Sequence, residues 1–321
     1  MKRGICTLEA PLSKIYMCVA RVITMVTMAV SREVFVRAAA EAMLKAETTI
    51  PEDVKDTLQK ACEKEKPPAK QILQTMLLNC SVAAEKAKPI CQDTGIPIYF
   101  VKVGLKAQID FDISKALGEA YSRVARELPL PPIITNPVTR ATSLDVGERI
   151  PIVHYSVDVN SDHVDICAVP QGWGAESWCA IKMFPPGEDM RPKKKFILDT
   201  VVAAGGRACP PVVVGVGLGG DFELAAKMAK EASSLRPLTK RHTDPEIAQL
   251  EEELLDMVNS LGIGPMGMGG VTTALAVNIE TASTHIPGTF VAVSIHCWPV
   301  RRAVVRVDKS GYRFLPQWEM V

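Results

Sequence analysis

The spacing of apolar and polar positions divides the chain into a helical N-terminal part and a longer part in which strands and helices follow one another. Between residues 31 and 62, Val34, Val36, Ala39, Met43 and Leu44, and beyond Pro51 the residues Val54, Leu58 and Ala61, fall at the spacing of two amphipathic helices. The second opens on Ile50-Pro51-Glu52-Asp53, where a proline and two acids suit a helix start. Pro67-Pro68 interrupts the pattern. Residues 69–86 resume it with Ile72, Leu73, Met76, Leu77 and Val82 on the apolar side, and Cys80 belongs to that stripe.

Residues 96–103, rich in β-branched and aromatic side chains, predict a strand. Residues 114–128 read as a helix and lead into an irregular proline-rich crossing, Leu128-Pro129-Leu130-Pro131-Pro132. Two apolar runs, 152–159 and 163–169, flank Asn160-Ser161-Asp162 and predict a β-hairpin, closed by the glycine turn of residues 170–177. Cys167 lies inside that strand pattern. Further helices are expected over 193–204, 222–232 and 245–261, the last a strongly acidic one with a solvated face. Strands are expected over 272–280, 290–295 and 303–307, then a short tail. The fold expected is mixed α/β: a helical N-terminal part followed by mixed sheet lobes.

Composition narrows the function. Thirty-seven basic against 36 acidic residues leave a net charge of +1, which gives no electrostatic case for nucleic acid, and aromatics at 5% offer no base-stacking platform. The apolar run over 15–30 is interrupted by Arg21 and is shorter than the ~20 residues that span a bilayer. Residues 1–30 therefore read as a dispensable extension, with Met28 as an alternative start, and no membrane association is expected. Nine cysteines, an odd number widely spaced, fit a reducing cytoplasm better than secretion.

Chemistry-bearing residues are densest in Lys88-Pro89-Ile90-Cys91-Gln92-Asp93-Thr94-Gly95, where a thiol, an amide, a carboxylate and a hydroxyl stand together on a turn entering a strand. Two other cysteines share that setting. Cys209 precedes Pro210-Pro211 and a buried-type strand, and Cys297 ends a strand in His296-Cys297-Trp298-Pro299. Separations of 118 and 88 residues exclude a local Cys-x-x-Cys loop. Three thiolates gathered from strand ends would suit an iron–sulfur cluster with one iron left without a protein ligand, although spacing alone does not establish it. The glycines of Gly215-x-Gly217-x-Gly219-Gly220 lack the Gly-x-Gly-x-x-Gly spacing of a dinucleotide site.

Over roughly residues 30–310 the chain resembles the alpha subunit, or N-terminal part, of class I iron–sulfur fumarate hydratases and L(+)-tartrate dehydratases. The segments Lys88–Gly95, Ala208-Cys209-Pro210-Pro211-Val212-Val213-Val214-Gly215-Val216-Gly217, Leu261-Gly262-Ile263-Gly264-Pro265-Met266-Gly267-Met268-Gly269-Gly270 and Ile279-Glu280-Thr281-Ala282-Ser283-Thr284-His285 carry the resemblance in order. It implies a [4Fe–4S] cluster held by Cys91, Cys209 and Cys297, with one iron lacking a protein ligand. It further implies that Gln92 and Asp93 face the substrate, that Gly174 lies in its binding loop, and that His285 belongs to the active-site set. The implied reaction is reversible hydration of a four-carbon dicarboxylate, with Asp93 and His285 as acid/base candidates. A separate beta subunit would complete the site in an alpha2beta2-type hetero-oligomer in the cytoplasm. Residues 31–310 would form the catalytic domain and 311–321 a tail.

Three positions depart from the family pattern. Leu130-Pro131-Pro132 stands where Leu-Arg-Pro is usual, without the arginine that clamps a substrate carboxylate, and neither Arg126 nor Arg140 aligns with it. The loop usually written Lys-Gly-x-Gly-Ser-Glu-Asn is Gln171-Gly172-Trp173-Gly174-Ala175-Glu176-Ser177, and Val271 replaces a lysine. A lost buried hydrogen bond to a charged group costs about 1.5–3 kcal/mol. The alternative reading is therefore a non-catalytic or altered-specificity iron–sulfur subunit with a binding or sensor role.

Overall fold

A computed structural model describes residues 29–128, 130–143 and 145–318. The apolar run over 15–30 lies almost wholly outside the described residues. Among those described, no helix is long and apolar enough to cross a membrane.

The expected N-terminal helices are present as α1 (Arg32–Thr48), α2 (Glu52–Lys64) and α3 (Ala69–Lys86). Their apolar stripes are buried or half-buried, with Cys80 among the buried residues, except that Val82, expected on the apolar side of α3, is exposed. Next come β1 (Ile96–Gly104), α4 (Ile113–Glu127), a two-residue strand pair β2 (Ile134–Thr135) and β3 (Thr142–Ser143), β4 (Ile152–Asp158) and β5 (Val164–Gln171). The short helix α5 (Trp173–Glu176), β6 (Ala180–Phe184), α6 (Met190–Ala204) and a 3₁₀ turn (Gly205–Ala208) lead to β7 (Val212–Leu218). The remainder is α7 (Phe222–Ser234), α8 (Pro245–Ser260), a 3₁₀ turn (Pro265–Gly267), β8 (Ala274–Thr281), β9 (Thr289–His296), β10 (Ala303–Asp308) and β11 (Gly311–Leu315).

Two sheets carry the molecule, and the mixed α/β expectation holds. The first has strand order β11-β10-β5-β1-β4, the second β6-β9-β7-β8. Each contains one parallel pair, β1 with β4 and β7 with β8, and is otherwise antiparallel. One face of the first sheet packs on α1 and α4 around Tyr99, Ile166, Leu117 and Phe35. The second lies between α6 and α8 on one side and α7 on the other. Its approach to α7 explains the glycines of β7: a Cβ on Gly217 would stand 2.0 Å from the Ala225 carbonyl oxygen, and one on Gly215 would stand 2.1 Å from that of Ala229. These glycines let a helix lie against a strand.

The expected hairpin of residues 152–169 does not form. β1 is inserted between β4 and β5, parallel to one and antiparallel to the other. The intervening segment wraps the end of β1 instead, with Gly104 N–H donating to His163 O and Lys106 N–H to Ser161 O. The glycine turn after it is not a hairpin closure either, because β5 runs on to Gln171 and passes into α5. Within the expected tail, the described residues 311–318 include β11, which pairs with β10, and the buried Trp318. In α8 the solvated acidic face has one exception, Glu251, which is fully buried and bound by Arg236 at 2.6 Å.

Candidate active site

The second sheet brings two of the three singled-out cysteines to one end. β9 runs antiparallel to β7 with Val213 opposite His296, so Cys297, which follows β9, lies beside the entry to β7 that Cys209 precedes. A main-chain bond from Trp298 N–H to Cys209 O, 3.2 Å, joins the two segments directly. Cys209 holds a left-handed backbone (φ 54°), uncommon for a residue with a side chain. Its turn is fixed by Cys209 N–H to Gly206 O, and Met266 N–H ties the following Pro210 O to the glycine-rich 262–270 segment at 2.8 Å.

Cys91 arrives from the other lobe. Ile90 is buried in the same apolar cluster as Val213, Trp298 and Val300, with Cys209 packed against it. Ile90 N–H donates to Glu47 O at 2.9 Å, and Asn79 Nδ2 donates to Ile90 O at 2.9 Å. The thiols share one electrostatic neighbourhood. Burial pushes the Cys209 thiol up, and Cys91 and Asp93 add to that. Burial pushes Cys297 up to about 12; Arg301 opposes this, while Cys91, Cys209 and Asp93 reinforce it. Burial and neighbouring acidic groups thus disfavour the thiolate forms of Cys209 and Cys297 unless a cation joins them.

Asp93 is oriented from several directions. Its Oδ2 accepts from Trp173 N–H at 2.7 Å, its Oδ1 accepts from Gly95 N–H at 3.1 Å, and its main-chain oxygen accepts from Arg301 at 3.1 Å. The 171–177 loop is therefore joined to the cysteine turn, but through Gly172 and Trp173 more than through Gly174. A Cβ on Gly172 would stand 3.1 Å from Asp93 Oδ2, whereas one on Gly174 meets only the Arg207 carbonyl oxygen, at 3.6 Å. Gln92 is exposed beside Cys91, whose Sγ lies 3.6 Å from Gln92 Oε1. Thr94 is buried, with its hydroxyl unpartnered within the protein.

His285 is not gathered with the others within this chain. It lies exposed in the loop between β8 and β9. Because β8 runs parallel to β7, that loop sits at the sheet end opposite Cys209 and Cys297. The separation is the length of β7, roughly 20 Å at ~3.3 Å per strand residue. Pro131 is exposed in the crossing after α4, and Arg126 and Arg140 are exposed too.

Pattern reading gave no role to Glu47, Arg301 or His296. Arg301 is fully buried, and Nη1 binds Glu47 Oε2 at 2.8 Å. Burial lifts the Glu47 carboxyl to about 7 against the pull of Arg301. His296 is also fully buried, which drives its imidazole down to about 3 and leaves it neutral, with Nδ1 3.1 Å from Cys297 O. The signal for Arg301 was the arginine pair just after Cys297. Glu47 looked like an ordinary acid at a helix end.

Comparison with known proteins bears on this arrangement. The family described as "Fumarate hydratase (Fumerase)" matches residues 36–306. A Methanocaldococcus jannaschii protein, provisionally named L(+)-tartrate dehydratase subunit alpha, is 41% identical over 272 residues, covering 83% of this chain and 95% of its own. The L(+)-tartrate dehydratase subunit alpha of Escherichia coli K12 is 33% identical over 262 residues, covering 81% of this chain and 86% of its own.

Proposed function

The chain belongs to the fumarate hydratase family, and from that premise we propose that it is the cluster-bearing alpha subunit of a hydro-lyase acting on a four-carbon dicarboxylate. The family is iron–sulfur dependent. What supports the reading is that Cys91, Cys209 and Cys297, from three distant segments, are near enough to interact electrostatically with one another and with Asp93.

The donor set fits a cluster. Among the described residues no group of three or more His, Cys, Asp or Glu side chains is arranged to hold a single metal ion. A [4Fe–4S] cluster separates its thiolates more widely than one ion does, and its positive irons would offset the burial, and the lesser effect of neighbouring acidic groups, that push Cys209 and Cys297 up. When bound through three thiolates, such a cluster supplies Lewis acidity toward a substrate oxygen.

The residues of this chain would do the rest. Asp93, oriented by Trp173 and Gly95 N–H groups, is the group to take or return a proton at the carbon next to a carboxylate. Gln92, exposed beside Cys91, can donate its amide to a substrate oxygen, and Gly172 keeps the 171–174 loop close against Asp93. Gly174 contributes to the same loop. His285 has no part in this single-chain arrangement.

The partner is proposed from the same geometry and from the relatives' names, which designate alpha subunits. Arg301, the buried arginine beside Asp93, is already engaged by Glu47 and a main-chain oxygen, and Pro131 offers no charge. Cations for the substrate carboxylates would therefore come from a beta subunit, in an alpha2beta2-type assembly. The names of the relatives favour L(+)-tartrate over fumarate as substrate. Anaerobic co-expression with a beta subunit, iron–sulfur reconstitution and assay on L(+)-tartrate, malate and fumarate test this. Turnover strongest on tartrate is expected; a loaded complex inert on all three would overturn the proposal.

A further inference from the structure

One residue outside the cysteine turn holds both ends of it. Glu47, in the last turn of α1, accepts Ile90 N–H on its main-chain oxygen at 2.9 Å, just ahead of Cys91. Its side chain binds Arg301 Nη1 at 2.8 Å, and Arg301 Nη2 donates to Asp93 O at 3.1 Å, two residues beyond Cys91. The contacts bracket residues 90–93. Arg301 lies four residues after Cys297 and so links this turn to a second cysteine segment.

Stability alone is a weak reason for the pair. Glu47 and Arg301 are both fully buried, 254 positions apart in sequence. Replacing such a pair with well-packed apolar residues is often neutral or stabilising, because desolvation offsets the Coulombic gain. Neither group is fully satisfied inside the protein: Glu47 Oε1 and Arg301 Nε have no protein hydrogen-bond partner, and neither do the buried Tyr99 and Tyr121 hydroxyls, whose ionisation burial, and to a lesser degree Glu47, disfavours. What the pair reaches is the Asp93 main chain.

We propose that Glu47 and Arg301 form a buried strut that positions Asp93, Arg301 clamping the Asp93 carbonyl and Glu47 fixing the guanidinium. They are positioning residues. The consequence for turnover rests on the reading of Asp93 given above, whereas the strut itself does not.

Glu47→Gln, Arg301→Lys and the double variant, each in the reconstituted complex, test this. Misplacing a reacting group by about 1 Å can cost ~10²-fold in rate. Each single variant is therefore expected to lose roughly 10- to 100-fold in kcat with KM little changed and iron content equal to wild type. The double variant should be no worse than the poorer single one. Amide hydrogen exchange should quicken in peptides covering 88–95 and 171–177 and nowhere else. Unchanged kcat in both singles, additive losses, or activity falling only in proportion to iron would overturn the strut. If the wild-type complex turns over no dicarboxylate, the hydro-lyase reading fails and exchange alone decides: unaltered protection over 88–95 sinks the strut.

Discussion

Asp93 is the residue on which the proposed chemistry turns, and its setting is that of an aimed group. Two main-chain N–H groups from different segments, Gly95 and Trp173, hold its two oxygens. None of its bonds reaches a sulfur, so changing the carboxylate should leave cluster binding intact. Asp93→Asn is expected to lower kcat by about 10²- to 10⁴-fold, the range of a general acid–base contribution, with visible absorbance and iron content unchanged. Steady-state assay beside iron analysis checks this; an Asn variant with wild-type kcat would remove Asp93 from the reaction. The cysteine turn was legible in the sequence because its polar residues are adjacent. The strut behind it was not, since Glu47 and Arg301 meet only after the whole fold closes.

Among the elements, the α7–β7 contact shows how little freedom the scaffold under Cys209 has. β7 begins three residues after Cys209 and is pressed against α7 through bare glycine backbone. Gly217→Ala would drive a methyl group into the Ala225 carbonyl oxygen, and neither backbone can yield without moving a central strand. The expected cost is at least ~2 kcal/mol, in the range of overpacked cores, read as a lower denaturation midpoint of the apo chain. A variant as stable as wild type would mean that α7 is not held so closely. Most helices and strands were legible from periodicity, because each is amphipathic or wholly apolar over its length. Strand partners were not. The runs at 152–159 and 163–169 have the local pattern of a hairpin, yet β1, some fifty residues earlier, lies between them. The glycines at 215 and 217 of β7 serve helix packing, a cause that no local sequence pattern discloses.

At the scale of the molecule, the candidate site exists because two sheets with different partners meet at one corner. Cys209 and Cys297 come from the same end of the second sheet, and Cys91 comes from the turn that feeds the first. Trp298 and Ile90, buried in one apolar cluster, hold that corner together. Sequence context could single out the three cysteines, each at a strand boundary near proline, but not their convergence. The family resemblance, not sequence context, put His285 in the active-site set, and within this chain the β8–β9 loop carries it to the far end of the sheet. Under the proposal, Cys91, Cys209 and Cys297, and none of the other cysteines, would hold the cluster. The most direct measurement of this is iron content and visible absorbance of the reconstituted complex for Cys91→Ser, Cys209→Ser and Cys297→Ser, with Cys80→Ser as the buried control. Each of the first three should lose the brown chromophore and its iron while the control keeps both; a full chromophore in any one of them would contradict the assignment.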